Sequence, residues 1–276
     1  MSSKPDPVGI FDSGVGGLSV LHAIRQALPY EPVIYLADQA RVPYGPRPLA
    51  QVRAFSEQIT RFLLAKGAKL IVVACNTASA AALQSLRQMF PDTPFVGMEP
   101  AVKPAAEQTQ TGRVGVLATP ATFQGALYAS VIERFANGVT VFQHTCPGLV
   151  QQIEAGKLDA PETRAILHAA LDPMLAQGID RVVLGCTHYP YVIPIIQEIV
   201  GPAVQVIDPA PAIARQVGRV LEARGLLRQA PDPGLVHILT TGDPRRLQAL
   251  LPQLLGEAGA VQETRLSDLS STGPGQ

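Results

Sequence analysis

The chain has 276 residues, 47% of them hydrophobic and 16% charged, with 22 basic residues balancing 22 acidic ones. That length spans one large domain or two ordinary ones, and low charge with ample hydrophobicity excludes a disordered chain. Zero formal net charge, with Arg245-Arg246 as the densest basic cluster, argues against nucleic acid or an anionic membrane surface as a partner.

Short apolar runs predict strands at 8–11, 32–36, 70–74, 94–97, 113–117, 139–142, 181–184, 204–207 and 236–240. Helical patterns lie between them at 17–27, 49–66, 78–89, 121–135, 161–177, 190–199 and 209–224. The strand runs are continuous rather than alternating, which suits parallel strands covered by helices on both faces. The βαβα order therefore predicts an α/β fold with mainly parallel sheets flanked by helices. The polar start, 1–7, has no apolar core that would make it a signal peptide. The apolar stretches near 70–83 and 181–200 are broken by Asn76, Thr77, Ser79, His188 and prolines, so neither reads as a membrane span. Three cysteines, an odd number in a long chain, argue against a disulfide framework. These features read as a cytoplasmic protein, with 266–276 expected to fray.

The chain states one pattern twice. Val8-Gly9-Ile10-Phe11-Asp12 is followed by a strand that ends Val72-Val73-Ala74-Cys75-Asn76-Thr77. Later, Val114-Gly115-Val116-Leu117-Ala118-Thr119 is followed by Val182-Val183-Leu184-Gly185-Cys186-Thr187. Gly9 precedes Cys75 by 66 residues and Gly115 precedes Cys186 by 71. Two related halves are predicted, each placing one thiol at the carboxyl end of a strand, where open α/β sheets bind ligands.

At Cys75 the positive end of the following helix would favour thiolate, and Asn76 and Thr77 could cap that helix or offer donors to a ligand carboxylate. The plainer reading is a packed, buried cysteine. In Cys186-Thr187-His188, the imidazole is close enough in sequence to hydrogen-bond or shuttle a proton. Half a metal site is the competing reading, but no Cys-x-x-Cys or His-x-x-x-His accompanies it. Asp12-Ser13-Gly14-Val15-Gly16-Gly17 follows a strand, and its amides could cradle an anion. It fits neither a nucleotide P-loop nor G-x-G-x-x-G. Asp12 would project at the same edge as Cys75 or cap the helix. Asp38, Tyr44, Gly45, Thr119 and Thr122 also follow predicted strands.

Two thiols at one pocket can form a redox pair, bind a soft metal or act as two acid/base groups. Inverting a stereocentre needs one group to remove a proton from one face and another to deliver one to the opposite face. A thiol, with a free pKa of about 8.5, suits both tasks. No lysine stands at a comparable position, which argues against a pyridoxal Schiff base.

Asp12-Ser13-Gly14-Val15-Gly16-Gly17, Ala40-Arg41-Val42-Pro43-Tyr44-Gly45, Cys75-Asn76-Thr77-Ala78-Ser79 and Gly185-Cys186-Thr187-His188-Tyr189-Pro190 together resemble the glutamate racemase family. The resemblance implies interconversion of L- and D-glutamate without a cofactor or metal, supplying D-glutamate for peptidoglycan. It implies Cys75 as the base toward D-glutamate and Cys186 toward L-glutamate, with Asp12 assisting the first thiol and Glu154 and His188 the second. Glu154 follows the Cys146-Pro147 pair at the family spacing, Cys146 itself is implied to be non-catalytic, and Asp38 is counted with the catalytic acids. Implied substrate contacts are Asp12, Ser13, Tyr44, Gly45, Asn76, Thr77, Thr119, Thr122, Thr187 and His188. Two pseudo-symmetric lobes are implied, 1–98 with 208–276 and 99–207, around a cleft; a homodimer is left open. The family usually reads Gly-Asp-Thr where this chain has Ala37-Asp38-Gln39, and Gln151-Gln152 replace the usual apolar and Pro residues. The alternatives are an aspartate racemase of the same superfamily and, in another class, a gyrase-binding regulator.

Overall fold

The computed structural model describes residues 6–229 and 232–266. Its ten strands form two separate sheets, every pairing parallel. The first contains β1 (Val8–Asp12), β2 (Val33–Ala37), β3 (Leu70–Val73), β4 (Phe95–Gly97), β9 (Val236–Thr240) and β10 (Val261–Glu263), in the order β10-β9-β2-β1-β3-β4. The second contains β5 (Arg113–Ala118), β6 (Thr140–His144), β7 (Arg181–Gly185) and β8 (Gln205–Ile207), in the order β6-β5-β7-β8. β1, β2 and β3 are buried at every residue, as their unbroken apolar runs require of central parallel strands.

The same topology occurs twice. In each sheet the earliest strand takes its successor on one side, the next strand on the other and the fourth beyond that: β2-β1-β3-β4 and β6-β5-β7-β8. The strand order therefore reverses at β1 and again at β5. The crevice beyond the carboxyl ends at such a reversal is the ligand position of open α/β folds. The repeated sequence pattern falls on these equivalent strands, so Cys75 follows β3 and Cys186 follows β7.

The helices are α1 (Leu18–Ala27), α2 (Leu49–Ala65), α3 (Asn76–Met89), α4 (Val102–Gln108), α5 (Pro120–Gln124), α6 (Ala126–Phe135), α7 (Leu149–Glu154), α8 (Pro161–Ala176), α9 (Ile193–Val200), α10 (Ala210–Ala223) and α11 (Pro244–Leu255). The single helix expected over 121–135 is two, because Gly125 is extended between them (φ −72°, ψ 138°). The helix expected from 190 opens instead as a 3-10 turn, Tyr189–Val192. α4, α7, α11 and β10 answer to no element read from the sequence. One continuous cluster of buried side chains runs from the first sheet into the second, joining Val15, Leu18 and Tyr35 to Leu149, Ile153 and Tyr189. Of the tail expected to fray, Leu266 packs against the cluster under Phe11 and Ile34, and the rest lies outside the described residues.

Candidate active site

The carboxyl edges of both sheets line one cavity of about 200 Å³, below the roughly 300–1,000 Å³ usual for drug-sized ligands. Its wall includes Ser13, Tyr44, Gly45, Cys75, Asn76 and Thr77 from the first sheet's loops. Thr119, Cys186, Thr187 and His188 come from the second's. Both cysteines are free thiols, contributed by opposite sheets to the same space. Asp12, Asp38, Glu154 and Thr122 are not on the wall; each is buried behind it.

Cys75 is the N-cap of α3, its sulfur accepting from the Ala78 amide at 3.4 Å. The helix end favours thiolate, as the sequence suggested, but burial opposes it. Burial, seconded by the charge of Asp12, raises the thiol well above its ordinary value, and the Ala78 and Ser13 hydrogen bonds offset only part of that. At neutral pH the Cys75 thiol is therefore protonated. Asp12 ends β1, accepting from the Gly14 amide at 3.0 Å and from the Thr187 hydroxyl at 3.0 Å. The second contact links the two sheets. Burial raises the Asp12 carboxyl, against the opposing pull of His188.

The second thiol has a relay behind it. Cys186 sulfur lies 3.7 Å from His188 Nδ1, and His188 Nε2 lies 2.7 Å from Glu154 Oε1. Burial pulls the imidazole down, but the Cys186 and Glu154 partners outweigh it and hold His188 well above its ordinary value. For Glu154 burial acts upward, yet His188, the Val15 amide and Gln39 together hold its carboxyl below the usual range. This pair reads as imidazolium and carboxylate, shielded from water, with the proton-bearing ring directed at a sulfur.

The glycine loop does cradle an anion, but the anion belongs to the chain itself. The Val15 amide donates to Glu154 Oε1 at 2.7 Å. A Cβ at Gly14 would lie 2.7 Å from Glu154 Cδ and closer still to Oε1, so only glycine lets the carboxylate approach. Local reading saw the donors and had no means of seeing a partner 139 residues away.

Asp38, counted with the catalytic acids, does not reach the cavity. Its carboxylate accepts from Tyr44 and, at 2.7 Å each, from Thr241 and Arg41, so it positions the Tyr44 ring on the wall. Thr122 likewise acts through a neighbour. Thr77, Thr119 and Thr122 form a hydroxyl chain with steps of 2.7 and 3.0 Å that joins α3 to α5. Both side-chain amide atoms of Asn76 are buried and have no hydrogen-bond partner among the described residues. Such a group costs about 1–3 kcal/mol unless a ligand satisfies it.

Comparison with known proteins bears directly on this site. The Asp/Glu/Hydantoin racemase family model matches residues 12–217. A glutamate racemase of Roseiflexus sp. is 52% identical over 249 residues, covering 90% of this chain and 92% of the relative. The chain belongs to the glutamate racemase family. Among solved structures, glutamate racemase isoform RacE1 of Bacillus anthracis superposes with a TM-score of 0.85 at 32% identity, covering 96% of this chain and 99% of that one. The Escherichia coli glutamate racemase in complex with L-glutamate and the activator UDP-MurNAc-ala gives 0.81 at 33% identity, covering 94% and 98%.

Some residues around this racemase-family cavity were not read from the sequence as contacts. Thr145, Cys146, Pro147, Gly148, Val150 and Gln151 form a wall of it. Cys146 has a left-handed backbone (φ 44°), and burial pushes its thiol up to about 12, which keeps it protonated beside Cys186. Gln39, seen only as a departure from the family pattern, touches Glu154. A short turn with Pro147-Gly148 was the available signal for the first group. Nothing local marked Gln39.

Proposed function

We propose that the protein interconverts L- and D-glutamate by two-base proton transfer at Cα, with Cys186 deprotonating the L enantiomer and Cys75 the D enantiomer. The observation that carries this reading is the placement of two free thiols, from equivalent strands of two repeated sheets, on the wall of one small cavity. The His188 imidazolium, held by Glu154, faces the Cys186 sulfur and stabilises its thiolate form. The Cys186 thiolate then removes the α-proton, and the electron pair of the broken C–H bond stays on a planar carbon conjugated with the carboxylate. The Cys75 thiol, with Asp12 beside it, donates its proton to the other face; the step leaves Cys186 as a thiol and Cys75 as a thiolate, and proton exchange with water after product release resets the two. No electron is gained or lost overall.

The unpartnered Asn76 amide, the Thr77, Thr119 and Thr187 hydroxyls, Ser13 and the Tyr44-Gly45 segment are the substrate contacts in this reading. A small acid with one α-amino group would satisfy the Asn76 donor and acceptor together. In this reading the described residues up to 98 and from 208 onward form the Cys75 lobe, and 99–207 the Cys186 lobe. The product serves peptidoglycan synthesis, which places the protein in the cytoplasm; among the described residues no helix is long and apolar enough to cross a membrane.

The test is exchange in deuterated water followed by NMR. Cys75→Ser abolishes steady-state racemisation while L-glutamate still exchanges its α-proton through Cys186. Full racemisation by that variant ends the two-thiol account.

A further inference from the structure

We propose that Gln39 is a positioning residue for the Cys186 half-reaction: its amide, locked by Thr240, holds Glu154 against His188 and so aims the imidazole at the thiol. The inference rests on the reading of Cys186 as a base and adds to it a residue from the opposite sheet.

The contacts form a single line. Thr240 Oγ1 donates to Gln39 Oε1 at 3.0 Å, and Gln39 Nε2 donates to Glu154 Oε2 at 3.2 Å. Glu154 Oε1 meets His188 Nε2 at 2.7 Å, and His188 Nδ1 lies 3.7 Å from Cys186 sulfur. The amide orientation is fixed by donor counting. The Gly242 amide donates to Thr240 Oγ1 at 3.0 Å, so the hydroxyl's one hydrogen is free for Gln39. The Glu154 carboxylate can only accept, so the NH₂ of Gln39 faces it and the Gln39 oxygen takes the Thr240 hydrogen. The flipped amide would set its oxygen against the carboxylate oxygen of Glu154, which can only accept.

Two further features give this contact weight. Among the described residues, Gln39 is the only protein donor to Glu154 Oε2; Val15 and His188 both use Oε1. Without Gln39 the carboxylate is held by one oxygen and can rotate about its own axis. Glu154 is buried, so the loss is not made good by bulk water. Gln39 also opens the 3-10 turn Gln39–Arg41, directly after Asp38, which is clamped by Arg41, Tyr44 and Thr241. Its backbone is thus anchored as firmly as its side chain. The anchor at the far end, Thr240, is the last residue of β9, so the strand that returns to the first sheet reaches the second sheet's thiol through Gln39, Glu154 and His188.

The test uses Gln39→Met, which keeps the length but removes both polar atoms, Gln39→Glu, which sets a second carboxylate against Glu154, and Thr240→Val. The two enantiomers have equal free energy in water, so kcat/KM must fall equally in both directions. A loss of about tenfold is expected for Gln39→Met, more for Gln39→Glu and less for Thr240→Val. The diagnostic readout is the primary deuterium isotope effect on kcat/KM with α-deuterated L- and D-glutamate. In Gln39→Met the effect rises for the L enantiomer, whose proton goes to Cys186, and falls toward unity for the D enantiomer. An unchanged ratio of the two isotope effects, whatever the overall rate, overturns the proposal. Cys186→Ser is measured alongside. If it racemises normally, the two-thiol reading fails; if it is inactive while Gln39→Met keeps the wild-type ratio, only the role of Gln39 falls.

Discussion

Gly14→Ala tests the contact on which the relay behind Cys186 depends. The new methyl carbon would stand 2.7 Å from Glu154 Cδ, well inside carbon–carbon contact. The loop cannot retreat, because Tyr35 donates to the Gly14 carbonyl at 2.6 Å and the Gly14 amide is held by Asp12. Glu154 must therefore swing away, releasing the Val15 amide and His188, both 2.7 Å from the same oxygen. Breaking a buried ion pair in this way costs about 3–5 kcal/mol, within the roughly 5–15 kcal/mol by which a domain is stable. The variant should fold, melt earlier and lose about 10²–10⁴ in kcat, the usual contribution of a positioned acid or base. Urea denaturation gives the first quantity, and polarimetric or circular-dichroism assay of glutamate the second. Gly218→Ala in α10 is the control, since its added carbon meets only Leu28 at 3.4 Å and a helix gains from alanine. Wild-type stability and turnover in Gly14→Ala would refute the assignment of that loop.

Three other perturbations have definite expectations. Asn76→Ala should stabilise the substrate-free protein by about 1 kcal/mol in urea, by removing two unpaired buried atoms, while raising KM at least tenfold. Gly45→Ala would put a carbon 2.9 Å from Thr119 Cβ, displacing the hydroxyl chain of Thr77, Thr119 and Thr122; the expected result is a rise in KM with Tm little changed. The Glu154–His188 pair sets a pH window. Glu154 is lowered on folding, so its contribution is present above the ordinary carboxylate value of 4.5 and fades as pH falls through the folded value. His188 is raised on folding, so its contribution is complete below 6.5 and fades as pH rises through the folded value. The Tm difference between the protein and Glu154→Gln should therefore be widest between these two pH values and narrow on both sides; a difference flat with pH would contradict the ionised pair.

The strands were legible because parallel strands under two helical layers leave continuous apolar runs, and the thiols because each stands where such a run stops. Asn76 and Thr77 were legible for the same reason. What the residues alone did not show depends on pairing across the fold, and Glu154 was named only through the family resemblance. Glu154 lies at the end of a helix too short to show a period, α7, and its partners come from residues 15, 39 and 188. Asp38 looked like its neighbours at the strand ends, and only the side chains of Arg41, Tyr44 and Thr241 reveal that its carboxylate is engaged behind the cavity wall. β10 has three residues, two of them exposed, and no apolar run to betray it.

The pairing of Val33 with Val236 has a consequence for how the molecule comes into being on the ribosome. β2 emerges early, yet the neighbour that covers its outer side is translated some two hundred residues later, a delay of roughly 10–40 s at ordinary elongation rates. Throughout that interval the nascent polypeptide carries an apolar strand with a row of unmet amides and carbonyls, open to wrong partners. The second sheet, whose strands are all encoded between residues 113 and 207, can close in the meantime. Biogenesis therefore runs inside out: the unit encoded in the middle matures first, and the one that begins the chain is sealed last.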